Sequence, residues 1–106
     1  LDTSRGKPAQ GVHVTLALRE ADGVFRELGR GTTDSDGRVR DLLPSQAQLV
    51  SGVYRLCFAT GAYFQAQGAA GFYPEVVIMF ELVSPSEHYH VPLLLNPFGY
   101  STYRGS

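Results

Sequence analysis

The residues best suited to chemistry lie near the end of the chain. His88 and His90 head the stretch His88-Tyr89-His90-Val91-Pro92-Leu93-Leu94-Leu95. Positions i and i+2 of a strand project from one face. A strand over His88 to Leu95 therefore places Tyr89, Val91, Leu93 and Leu95 on an apolar face for the core. His88, His90, Pro92 and Leu94 take the opposite face. An imidazole serves as general base or as metal ligand. A catalytic zinc wants a third protein ligand and an open position, and no third candidate stands out here. What remains is a polar cluster of His90, Arg38 and Ser106, with Arg104 beside it. On spacing alone these groups also read as a solvated sheet face, a surface arginine and a frayed tail. Asn96-Pro97-Phe98-Gly99 is a turn, and a strand from Tyr100 to Tyr103 leads without a linker into Arg104-Gly105-Ser106. That continuity allows the tail to be held near the histidines.

Other chemistries lack their residues. There is no Gly-x-Ser-x-Gly, Cys-x-x-Cys, His-Glu-x-x-His or glycine-rich phosphate loop. Cys57 has no base placed by sequence to activate it, so it reads as a small half-buried residue. Asp34 and Asp36 lack the ligand number and closing Glu of a calcium loop. No metal or cofactor is expected.

The elements that must position the cluster are short. Val12, Val14, Leu16 and Leu18 alternate with His13, Thr15, Ala17 and Arg19, the pattern of a half-buried strand. Ala21-Asp22-Gly23 turns the chain into a weaker strand, Val24 to Thr33. Asp34-Ser35-Asp36-Gly37 is a second turn, followed by a strand from Arg38 to Leu43. Pro44-Ser45 breaks it, and Gln46 to Ser51 is loop or a poor strand. Gly52 opens a run with Tyr54, Leu56 and Phe58 on one face. Thr60 is placed to cap a short helix through Gln67, ended by Gly68. Val76 to Val83 then puts Val76, Ile78, Phe80 and Leu82 on one face. Its second face, Val77, Met79 and Val83 with Glu81, is apolar enough to need cover, plausibly from another subunit. Seven or eight short strands with regular turns and one helix predict an all-β sandwich.

Length and composition bound the reading. The chain has 106 residues, one domain over 1–106 is expected, and oligomerisation would help a domain this small. Net charge is −1 with the signs well mixed, which argues against nucleic acid as a partner. No apolar run approaches the ~20 residues of a membrane span. One cysteine excludes an intramolecular disulfide and leaves the redox compartment open. The chain begins at Leu1 rather than Met, so something upstream is expected to have been removed or left out, and these residues do not show whether it included a targeting peptide. A cytoplasmic protein is favoured, with periplasmic and peroxisomal addresses left open.

The terminus Tyr103-Arg104-Gly105-Ser106, with His90-Val91-Pro92-Leu93-Leu94-Leu95 before it, resembles the 5-hydroxyisourate hydrolases of the transthyretin-related family. The resemblance covers nearly the whole chain and implies a transthyretin-like (prealbumin-like) two-sheet β-sandwich. It implies that His90 and Arg38 are catalytic. It places the terminal residues in the same pocket, with Ser106 catalytic and Tyr103, Arg104 and Ser106 on the substrate. It further implies a homotetramer, a dimer of dimers, with sites in the cleft between dimers. The small-molecule substrate would be purine-derived. The family's His-Val-Leu-Asp motif survives only as Leu1-Asp2, which puts its histidine upstream of Leu1. Two other classes remain: a transthyretin-like carrier without catalysis, and a prealbumin-like module of a surface protein, which Gly6 to Leu43 alone resembles.

Overall fold

The computed structural model describes residues 1–39, 42, 49–84 and 90–105. They form β1 (His13–Arg19), β2 (Phe25–Thr32), β3 (Gly52–Phe58), α1 (Thr60–Ala66), β4 (Val76–Leu82), β5 (Leu93–Asn96) and β6 (Gly99–Thr102). One sheet has the order β2-β1-β3-β4, and β5-β6 forms a separate two-stranded ladder. All these pairs are antiparallel.

The alternation of β1 decides its role. Val12, Val14, Leu16 and Leu18 are buried, together with Tyr54 and Leu56 of β3 and Val76, Ile78 and Leu82 of β4. Leu93 and Leu95 of the ladder join the same cluster, so the core lies between the two layers. Tyr54 is the most enclosed of these, at 1% exposure. Its hydroxyl donates to the Val50 carbonyl (2.6 Å) and accepts from the Val50 amide (3.0 Å), which satisfies it in the apolar interior.

Six strands are described where seven or eight were expected, and the differences have local causes. Arg38, Val39 and Leu42 lie outside any strand; the remainder of the predicted Arg38 to Leu43 strand is outside the described residues. Of the predicted strand from His88 to Leu95, His88 and Tyr89 lie outside the described residues, and among the rest it is regular only from Leu93. Pro92 has no N–H to give the ladder, so the pairing lapses there. Beyond it His90 bridges Gly105. β2 reads weakly because it carries a bulge. Leu16 faces Gly29 and Ala17 faces Glu27, leaving Leu28 as the extra residue.

Thr60 does not cap α1. The cap position is Ala59, without a side-chain bond, and the buried Thr60 hydroxyl has no partner among the described residues. A loop carbonyl replaces the cap: the Gly61 N–H donates to Pro74 (3.0 Å). The other end follows expectation. Gly68 takes φ +74°, its N–H donates to Gln65 and that of Ala69 to Phe64, a Schellman ending.

Candidate functional site

Arg38 is set by the turn before it. The Asp34 carboxylate accepts from the N–H groups of Asp36 (2.9 Å) and Arg38 (3.1 Å). Backbone bonds from Gly37 to Asp34 and from Asp34 to Arg38 close the loop. Gly37 sits at φ +74°, a conformation that favours glycine, and packs against Pro8 and Ala9. The leading segment is fixed in turn by buried Thr33, whose hydroxyl donates to Ala9 and accepts from the Val12 amide. On the far side of Arg38, Val39 presses its side chain onto Gly31 of β2. The guanidinium thus leaves a rigid loop and is itself exposed.

His90 is set by the ladder. Its carbonyl accepts from the Gly105 N–H at 2.7 Å. The His90–Gly105 bridge keeps the register of Leu93–Thr102 and Leu94–Ser101. Between them, the Thr102 hydroxyl donates to the Pro92 carbonyl (2.6 Å), a side-chain bond across the gap. The tail therefore lies beside His90 rather than fraying away. By the same register Tyr103 shares the His90 face, while Arg104 falls on the opposite one.

β5 is held from its other side by the leading segment. Leu1 donates to Leu93, Leu95 to Leu1 and Thr3 to Leu95. Asp2 is buried at this junction. Its carboxylate accepts from the Ser4 amide (3.0 Å), the Ser4 hydroxyl (2.5 Å) and the Tyr63 hydroxyl of α1 (2.7 Å). Burial pushes the carboxyl up, but these hydrogen bonds outweigh it and hold Asp2 below the ordinary carboxylate range. Burial and the bond to Asp2 raise the Tyr63 hydroxyl.

Arg38, His90 and Tyr103 line one cavity of about 830 Å³. Leu1 and Asp36 line it too, and much of the wall is apolar, from Val12, Val14, Leu56 and Pro92 among others. An imidazole and a guanidinium beside an apolar wall suit a small polar, planar ligand. Of the residues singled out from the sequence, Arg38, His90 and Tyr103 meet here. Arg104 is exposed and absent from the described lining; Ser106 and His88 lie outside the described residues. Among the described residues no three His, Cys, Asp or Glu side chains gather as a metal site. No described helix is long and apolar enough to cross a membrane. Sequence reasoning placed the Arg104-Gly105-Ser106 tail near the histidines without singling out Gly105, whose contact with His90 spans a turn.

The sequence matches the HIUase/Transthyretin family over residues 1–105. The chain belongs to that family. Within it, the chain is 47% identical over 106 residues to a 5-hydroxyisourate hydrolase of Salmonella dublin, covering 100% of this chain and 76% of the relative. A solved 5-hydroxyisourate hydrolase from Klebsiella pneumoniae superposes with a TM-score of 0.84 at 39% identity, covering 100% of this chain and 93% of that one. Transthyretin from Sparus aurata superposes at 0.90 with 36% identity, covering 99% and 90%. The two-layer β architecture is that of the family.

Proposed function

We propose that this chain hydrolyses 5-hydroxyisourate to 2-oxo-4-hydroxy-4-carboxy-5-ureidoimidazoline, a step of urate degradation. The observation that carries the reading is the meeting of His90 and Arg38 in one cavity, in a chain 47% identical to a hydrolase of that name. His90 takes a proton from water, and the water oxygen bonds to the cyclic amide carbonyl carbon. The ring C–N bond then breaks, the nitrogen leaves with a proton, and a carboxylate remains. General-base assistance contributes about 10²–10⁴-fold. The Arg38 guanidinium, carried on a backbone that its turn holds, meets the negative charge that develops on the substrate oxygens. Tyr103 holds substrate from the cavity wall; Arg104, on the opposite strand face, and Ser106, which also positions water, join the site as the family resemblance implies.

Decay of 5-hydroxyisourate absorbance after addition of the protein tests this. Turnover well above the spontaneous rate is expected. A carrier reading draws on the TM-score of 0.90 to transthyretin. Binding of a urate-like analogue without any acceleration would favour it.

β4 supports an assembly. It is an edge strand whose outer face exposes Val77 and Met79, and Val83 just beyond it is 72% exposed. Covering that apolar face favours a homotetramer built as a dimer of dimers. All the described candidate residues are exposed in the single chain, which suits a site completed at a subunit boundary. Light scattering after size exclusion should give four chains; a stable monomer at micromolar concentration would refute it.

A further inference from the structure

Gly105 lies in an ordinary backbone conformation. The glycines at positive φ are Gly6, Gly11, Gly23, Gly37, Gly52 and Gly68. Its need for glycine is therefore steric, and the obstacle is His90. A Cβ at position 105 would fall 2.6 Å from His90 Nδ1, 3.0 Å from Cγ and 3.1 Å from the His90 Cβ. The imidazole lies over the Gly105 Cα with its Nδ1–Cγ edge against the tail. Nε2 is the ring nitrogen farther from it. Together with the 2.7 Å bond from the Gly105 N–H to the His90 carbonyl, this pins both the backbone and the ring of one residue.

The geometry points to Gly105 as the positioning residue for His90, an inference that rests on the hydrolase reading above. Any L side chain at 105 must push the ring out of its place. The ring is exposed, so it can swing away at little expense to the fold. The chemistry would not tolerate the same swing. A base displaced by about 1 Å loses on the order of 10² in rate. Gly105 thus acts through His90, by leaving empty the space that the imidazole fills.

The test compares Gly105→Ala, His90→Ala and the double variant, as verified full-length assemblies. Gly105→Ala should lower kcat about 10²-fold, with KM and melting temperature near wild type. In the His90→Ala background the same change should leave kcat within about twofold, because contacting residues couple and the contact is gone. The imidazole resonances of His90, one of three histidines in the chain, should move in Gly105→Ala while those of His13 stay. Unchanged kcat in Gly105→Ala, with His90→Ala inactive, would overturn the inference and leave the hydrolase reading standing. Equal losses in both backgrounds would also overturn it, by assigning the effect to tail order. Wild-type kcat in His90→Ala would sink both.

Discussion

In the four-stranded sheet, β3 pairs with β4 from Gly52–Leu82 to Phe58–Val76 without a break, and β1 is bonded on both sides. In the β5–β6 ladder, regular pairing covers Leu93–Thr102 to Asn96–Gly99, and the His90–Gly105 bridge lies beyond a proline. The first region buries most of the core. The second contributes Leu93 and Leu95 to it and carries His90 on its other face. The residues proposed for chemistry thus lie outside the core packing, His90 on the ladder and Arg38 on the loop after β2. The difference teaches that residues near the cavity can be exposed and weakly packed yet well placed, provided a rigid layer lies behind them.

If that division holds, substitutions should sort by whether they touch the site or the core. The largest effect belongs to the site. His90→Ala and Arg38→Ala should each lower kcat/KM at least about a hundredfold, with little change in melting temperature, because both side chains are exposed. Near-normal turnover in His90→Ala, or its unfolding, would break the division. Next comes the sheet. Ile78→Ala empties a buried β4 position outside the cavity lining and should destabilise by about 2–5 kcal/mol. Thermal unfolding should show a fall of roughly 10 °C or more. Any activity that remains below the transition should keep its KM. A change in KM without loss of stability would contradict the separation.

The smallest effect sharpens the comparison at the joint between layers. Asp2→Ala strands the buried Tyr63 hydroxyl and the Ser4 donors, at about 2–3 kcal/mol. The wild-type advantage should depend on pH. The folded carboxyl titrates below its ordinary value. Its contribution is therefore full above the unfolded pKa of about 3.9 and is lost as pH falls through the folded value. Melting curves of both proteins across that range should converge in acid. A gap that stays constant would show that the charge is irrelevant there.

The rigid layer was the legible one. Val12, Val14, Leu16 and Leu18 alternate with period two, and all four are buried. β2 was only half legible, since one extra residue, Leu28, erases the period without leaving a mark in composition. Thr60 misled because the carbonyl that satisfies Gly61 comes from Pro74, far along the chain. At the site, His90 and Arg38 were recognisable from motifs. Their shared cavity was not, because it depends on Gly37 against Pro8 and on Val39 against Gly31. Such contacts between distant segments have no period to read.

The Leu28 bulge has one more consequence, for what the molecule can join. Among the described strands, the four-stranded sheet has two edges, β2 and β4. The β2 edge is guarded. The bulge distorts its ladder, and Arg26, Glu27 and Arg30 line it with charges paired to Glu20 and to one another. The β4 edge is straight, with Val77 and Met79 exposed beside it. A sheet that offers one open edge can pair once, edge to edge, with a second copy of itself. The resulting continuous sheet would present two guarded β2 edges outward and have nowhere left to grow. Such edge pairing would end at two chains along the sheet, so any larger assembly would have to form by packing of faces.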